Sequence, residues 1–414
     1  MKKNLIGLLL LITIPSLTYA GGYRVSLQGV RQAALGAQGA VLSHDASVAF
    51  FNPAALAFVD SKFSVAIGGF GIKLNSTYQN PNTFENAETN NPVGTPLYAA
   101  ASYKPTDKLA LGVSLTTPFG STIDWGNEWG GRYVIDRIEL KSYFIQPTVS
   151  YRFNDWFGVG VGYIMASGEV NIQKQVSVGD TDGSSEISTD DASGNGFNVG
   201  VYIKPHDKVT LGVAYRSIVR MKVDNGDVSF NNIPSLALAN PNLPFNSTKF
   251  DAELPLPYEA IFGISYQATP KLLLLGEVGS VGWEEYSSLD IILKDYTNPE
   301  VKTTDVFSEQ DYSHTYNYSF GAEYAATDNI ALRLGYKYDK SPSPDAHFNP
   351  QTPTVNYHAF TAGIGAAYRN FNIDLMGEYI HGEERSFNNV DTGLAGDIYS
   401  KGYIFGLGLS YNIK

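Results

Sequence analysis

The 414-residue chain has no cysteine, so its fold rests on no disulfide, which fits a cell-envelope protein that needs none. It has few charges, 17% of residues, and no excess of cations: 29 Lys and Arg stand against 41 Asp and Glu, for a net charge of −12. An acidic chain of this kind argues against nucleic acid as a partner. After Ala20 it has no run of 18 apolar residues, which excludes a helical membrane anchor. Gly-x-Ser-x-Gly, a P-loop and a Cys/His cluster are all missing, and the six histidines (44, 206, 314, 347, 358, 381) are scattered. We therefore expect no enzyme activity and no cofactor. Asp180-Thr181-Asp182-Gly183 lies in an acidic segment at 173–194, but the spacing to a closing acid does not match a calcium loop. That segment reads as a solvated loop, and no metal is expected.

The residues that are present begin with a secretory signal over 1–20. Lys2 and Lys3 are followed by the apolar run Leu5 to Ile14, a breaking Pro15, and Thr18-Tyr19-Ala20 as a cleavage site. The mature chain is expected to start at Gly21.

A short polar turn then recurs six times: at Lys104–Lys108, Tyr151–Trp156, Lys204–Lys208, Gln267–Lys271, Ala325–Asn329 and Tyr368–Phe371. Strict alternation follows each turn. Leu109, Leu111, Val113 and Leu115 alternate with small or polar residues, as do Val209, Leu211, Val213 and Tyr215, and Ile330, Leu332, Leu334, Tyr336 and Tyr338. Period two means strands with one apolar face. The strands are long, aromatic residues gather at their ends, and short turns alternate with long loops, as in barrels of the outer membrane. In lipid only a closed sheet satisfies every backbone group. Twelve strands flank the six turns, and 62–74 and 401–412 supply one more at each end. The expected fold is all-β: a 14-stranded antiparallel transmembrane β-barrel (61–414) in the outer membrane, with both termini periplasmic.

Residues 21–60 break this rhythm. Gly29, Gly36 and Gly39 sit among small apolar residues, and Asn52 is placed to cap a short helix with Pro53 at its first position. Phe50, Phe51, Leu56, Phe58 and Val59 are too apolar for a loose tail, so the segment is expected to plug the barrel as a small N-terminal hatch.

Asp45-Ala46-Ser47 with Phe51-Asn52-Pro53-Ala54-Ala55-Leu56 resembles the N-terminal hatch of the FadL family of outer-membrane transporters. Thr116-Thr117-Pro118-Phe119-Gly120, with Trp125, Trp129, Gly131 and Arg132 after it, resembles the third strand and following loop of the family branch that includes toluene-type hydrocarbon channels. The resemblance implies a fourteen-strand barrel for passive uptake of hydrophobic molecules, long-chain fatty acids or hydrocarbons. Substrate would be caught by outer loops, held beside the hatch and released sideways through a kink in strand three. The match puts that kink at Pro118, Phe119 and Gly120, where Pro lacks a ladder donor and Gly weakens the strand. It makes Asn52, Pro53 and Ala54 the hatch segment facing the kink.

Two further features fit a greasy substrate. The loop after residue 224 carries Ile233, Leu236, Leu238, Leu243 and Phe245, an apolar run that reads as a capture surface. By parity, Arg216, Arg220, Arg333 and Lys337 face the lumen as candidates for binding a carboxylate, although Glu259, Glu277, Glu323, Asp374 and Glu378 share that parity and could pair with them. The expected partners are a hydrophobic small molecule and the surrounding outer-membrane lipid and lipopolysaccharide, with the chain a monomer. Two other functions are weighed: a FadL-like barrel serving as accessory part of a protein secretion system, and a porin for polar solutes.

Overall fold

A computed structural model describes residues 22–294 and 305–414. The signal peptide expected over 1–20 lies outside them. The alternating segments form fourteen staves: β1 (Phe63–Gln79), β2 (Leu97–Tyr103), β3 (Leu109–Thr116, resuming at Gly120–Asp124), β4 (Arg137–Arg152), β5 (Phe157–Val178), β6 (Thr181–His206) and β7 (Val209–Arg216, resuming at Val219–Asn231). They continue as β8 (Lys249–Leu256 and Glu259–Thr269), β9 (Leu272–Val281 and Ser288–Lys294), β10 (Asp305–Glu309 and Thr315–Ala325), β11 (Ile330–Asp339), β12 (Tyr357–Tyr368), β13 (Phe371–Gly382) and β14 (Ala395–Ile413). Each stave pairs antiparallel with the next. β14 closes on β1 in register from Phe63↔Ile413 to Gln79↔Asp397, so the barrel has no free edge. The six polar turns join staves at one end, and the backbone of Lys62 bonds Ile413 and Lys104 at that same end.

The pleat separates the faces as the alternation requires. Leu334, Phe405, Val113 and Ile67 are exposed on the outside, toward lipid. Ser114, Gln146, Thr148, Ser150 and Asn198 are buried on the inside. The interior is filled by residues 22–59. These form two short helices, α1 (Val30–Ala34) and α2 (Val48–Phe51), and a 3-10 turn over Pro53–Phe58, nearly all of it buried. The fit is close enough to specify small residues on the wall. A Cβ at Gly212 would come within 2.1 Å of the Ala40 carbonyl oxygen. Gly36 holds φ +81, a conformation that side-chain-bearing residues rarely adopt, where it meets the backbone of Tyr336.

The segment 173–194 is not the loop expected from its acidic, Ser- and Gly-containing composition. β5 and β6 run on past the membrane zone as a ladder to a turn at Gly179, which has φ 65. Val176, Val178, Ile187 and several Thr and Ser supply strand-forming residues there. The distal half of β7 pairs with the extension as well, through Asp227↔Ser188 to Asn231↔Ser184, so it forms a ribbon of three strands.

A further break governs the site. In β7, odd residues Val213 and Tyr215 face out, and Arg216 faces in. After the interruption at Ser217–Ile218, odd residues Val219, Met221 and Val223 are the buried ones. β8 does the same around Pro257–Tyr258: Phe250 and Leu256 are buried beyond the break, whereas even residues Phe262, Ile264 and Tyr266 are exposed before it. The apolar row keeps its numbering and changes sides.

Candidate functional site

Because of that rotation, the barrel interior is polar in its lower part and apolar above. The upper staves enclose a narrow chamber, partly open to solvent, walled by apolar side chains such as Ile138, Ile172, Met221, Val223, Leu254 and Ile291. Its floor is Tyr23 and Phe119, whose rings meet edge-on at 6.1 Å. Trp283 and Tyr286 support Tyr23 from the side, at 4.9 and 5.9 Å. Gln351 and Thr352, from the loop between β11 and β12, border it as well. Trp125 and Trp129 stack at 4.6 Å, and the Trp125 indole N–H donates to the Pro350 carbonyl at 3.0 Å, which ties this loop to the one after β3.

The chamber floor is also where β3 is interrupted. Between Thr116 and Gly120 the ladder between β2 and β3 stops, and Pro118-Phe119 is left without a neighbouring stave on that side. The start of the hatch takes the vacant place. Val25 N–H donates to Pro118 O at 2.8 Å, Gly120 N–H donates to Tyr23 O at 3.1 Å, and Arg24 pairs antiparallel with Phe119. On its other side Phe119 is held by Ser142, whose hydroxyl donates to Phe119 O at 2.7 Å and accepts from Phe119 N–H at 3.0 Å. The interruption covers residues 117–119, and Gly120, expected in the kink, opens the resumed strand and pairs with Lys141.

Asn52, Pro53 and Ala54 do not face the interruption. Asn52 caps the 3-10 turn through a bond from Ala54 N–H at 3.0 Å, and its amide donates to Ala40 O at 2.8 Å and to Val201 O at 3.0 Å. Pro53 packs against Gly160 and Gly200, on β5 and β6. The cap expected from sequence is present, but the motif packs on β4, β5 and β6 and not on Pro118-Phe119. Tyr23, Arg24, Val25 and Gln28 stand at the break instead. No apolar period or cap marks these residues, and only their pairing with Phe119 singles them out.

The four cations proposed for a carboxylate are engaged by protein carboxylates. Arg216 bonds Glu259 at 3.1 Å, donates to Phe50 O at 2.7 Å and lies over the Phe50 ring. Arg333 joins Glu323 at 2.6 Å and Asp374 at 2.5 Å, and Lys337 joins Asp339 at 2.8 Å. Arg220 does not face the lumen. The break at Ser217–Ile218 turns it outward, where it pairs with Glu253 at 3.3 Å and Glu285 at 2.9 Å. The hatch enters the same networks: Arg24 bridges Glu259 and, at 2.9 Å, Asp339, and Arg31 joins Glu323 at 2.6 Å.

Lys174, which the sequence reading passed over, is different. It continues the inward row of β5 two positions beyond Ile172, is partly buried, and has no carboxylate partner among the described residues. Its register partner Ser185 is paired in turn with Phe230, whose ring meets Phe245 edge-on at 5.4 Å. Of the expected capture residues, Leu236 is 86% exposed and Leu238 lies on the exposed face of a single helical turn, Ser235–Leu238, while Ile233, Leu243 and Phe245 are half-buried. Lys174 is thus linked through Ser185 and Phe230 to the apolar loop, and along its own strand to the chamber residue Ile172.

A protein-family model described as "Outer membrane protein transport protein (OMPP1/FadL/TodX)" matches residues 11–413. An outer membrane protein of Neisseria meningitidis serogroup B is 23% identical over 96% of this chain and 95% of its own length. Among solved structures, a Pseudomonas aeruginosa FadL homologue superposes with a TM-score of 0.81 at 21% identity, covering 95% of this chain and all of that one. The Ralstonia pickettii toluene transporter TbuX gives 0.69 at 15% identity, over 93% of this chain and 98% of that one.

Proposed function

The chain belongs to the OMPP1/FadL/TodX family of outer membrane transport proteins, which carry hydrophobic compounds, and on that premise we propose how it takes them up. Loop 232–248 captures an apolar molecule at the outer surface. The molecule enters the chamber above Tyr23 and Phe119 and leaves sideways, into the membrane, where hatch residues 23–25 part from Pro118-Phe119. The short-turn end and both termini face the periplasm. The observation that carries this reading is the interruption in β3 at the floor of an apolar chamber, filled by hatch backbone rather than by a stave. A stave would be bonded along its whole length, whereas the backbone of this stretch makes two hydrogen bonds to β3.

The chamber wall suits hydrocarbon, and Lys174, two positions beyond the wall residue Ile172 on the same row of β5, is a cation with no carboxylate partner among the described residues. That combination fits a long apolar chain with an anionic end, a long-chain carboxylate. A charge-assisted bond contributes about 1.5–3 kcal/mol, so Lys174→Gln should weaken uptake of a labelled C18 fatty acid roughly tenfold and leave toluene uptake unchanged. The assay compares cells carrying the wild-type chain, the variant and no chain. Equal uptake with and without the wild-type chain refutes transport. Equal loss of both compounds in the variant refutes the role of Lys174.

A further inference from the structure

We propose that the outer loops carry a binding site for one late first-row divalent cation, of the zinc class, made by Glu309, His347 and Asp391. The three come from separate parts of the chain: the outer end of β10, the loop between β11 and β12, and the loop between β13 and β14. One ligand atom from each lies within 4.8 Å of the other two. His347 is partly buried, and its Nδ1 stands 2.8 Å from an Asp391 oxygen. Among the described residues Glu309 forms no ion pair, so two carboxylates converge on one imidazole. A dipositive ion supplies the missing charge.

The donor set decides the class of ion. One imidazole nitrogen and two carboxylate oxygens suit Zn²⁺, which takes nitrogen and oxygen donors at about 2.0–2.2 Å in a tetrahedron and can complete it with water. Ca²⁺ and Mg²⁺ take all-oxygen sets and would gain little from the histidine. Two neighbouring bonds already hold the loops in place: Val390 N–H to Ala346 O at 2.9 Å and the Asn389 amide to Phe348 O at 2.9 Å. The scaffold is thus formed without the ion, and only small side-chain movements are needed to close around it.

The site also has a mechanical consequence. His347 precedes, in the same loop, Pro350, whose carbonyl accepts from Trp125, and Gln351 and Thr352, which border the chamber. Glu309 precedes Tyr312, whose hydroxyl shares a hydrogen bond with Thr352 at 2.7 Å. A cation joining Glu309, His347 and Asp391 would fasten the loops around the chamber mouth.

The test is calorimetric titration of the EDTA-treated, tag-free full chain in detergent with ZnCl₂. The proposal expects one zinc per chain, with affinity reduced at least tenfold in both His347→Ala and Glu309→Gln and unchanged in His206→Ala, which alters the turn at the other end. Retained heat-resistant migration of the barrel on gels shows that the variants fold. Zinc should also change wild-type tryptophan fluorescence through Trp125 and leave that of His347→Ala unchanged. Absence of zinc binding by the wild-type chain, or wild-type binding by the folded variants, overturns the proposal.

Discussion

Replacing Arg24 with alanine should turn a closed barrel into a leaky one. Arg24 is the residue by which the start of the hatch grips two walls at once, through Glu259 on β8 and Asp339 on β11. All three side chains are almost fully buried, with exposures of 9% or less. Removing Arg24 takes both of these ion pairs away from the hatch. Glu259 and Asp339 keep Arg216 and Lys337, so the walls stay intact and the loss falls on the hatch. Against it, only the two backbone bonds to Pro118 and Gly120 tie residues 23–25 to β3. We expect frequent conductance steps in planar bilayers where the wild-type chain is nearly silent, and faster tryptic cleavage after Arg31. Arg24→Lys, which keeps the charge but loses the fork that reaches both acids, should fall between the two. A silent Arg24→Ala barrel would show that the hatch is held by its packing alone.

Filling the chamber should cut uptake about tenfold or more without opening or closing the barrel. Ala252 lies on the wall, on the inward row of β8, with Phe250 and Leu254 on either side. A tryptophan there occupies space that a substrate needs. Each Å² of apolar surface kept out of the pocket forfeits about 25 cal/mol, so loss of 60 Å² of contact lowers occupancy roughly tenfold. Ala252→Trp is expected to reduce fatty-acid and toluene uptake together, by about tenfold or more. Ser229→Trp, on an outward position of β7, should change neither. If Ala252→Trp transports normally, substrate does not pass through this chamber.

What was legible in the chain follows from how local each signal is. The six turns and the strict alternation between them are short-range features, and they gave the fourteen staves. Asn52 followed by Pro53 is a local capping signal, and the cap is there. Pro118 interrupts a ladder for a reason the residue carries in itself. Arg220 was misplaced because parity was extended through Ser217–Ile218, where the apolar row continues in number while the backbone rotates. The same rotation hides the chamber: by the parity of Val213 and Tyr215, Val219, Met221 and Val223 would fall on the lipid side, and they are buried inside. The ribbon at 173–194 was hidden by its polar composition, which in an outer strand answers to water rather than to a loop. Arg24 could not be found at all, since its partners lie 235 and 315 residues away along the chain.

The exit can be tested by stitching it shut. Arg24 and Phe119 face each other as a non-hydrogen-bonded antiparallel pair, bonded through Val25 to Pro118 and Gly120 to Tyr23. Such pairs bring Cα atoms to about 4.5 Å, inside the disulfide range of about 4.4–6.8 Å. The chain has no other cysteine, so Arg24→Cys with Phe119→Cys gives a single, reversible lock. Uptake of a labelled C18 fatty acid is measured on the same sample, oxidised and then reduced. Lateral release at the β3 interruption predicts that uptake is lost on oxidation and returns with reductant. Uptake at the same rate in both states, with the disulfide confirmed by mass spectrometry, would contradict it.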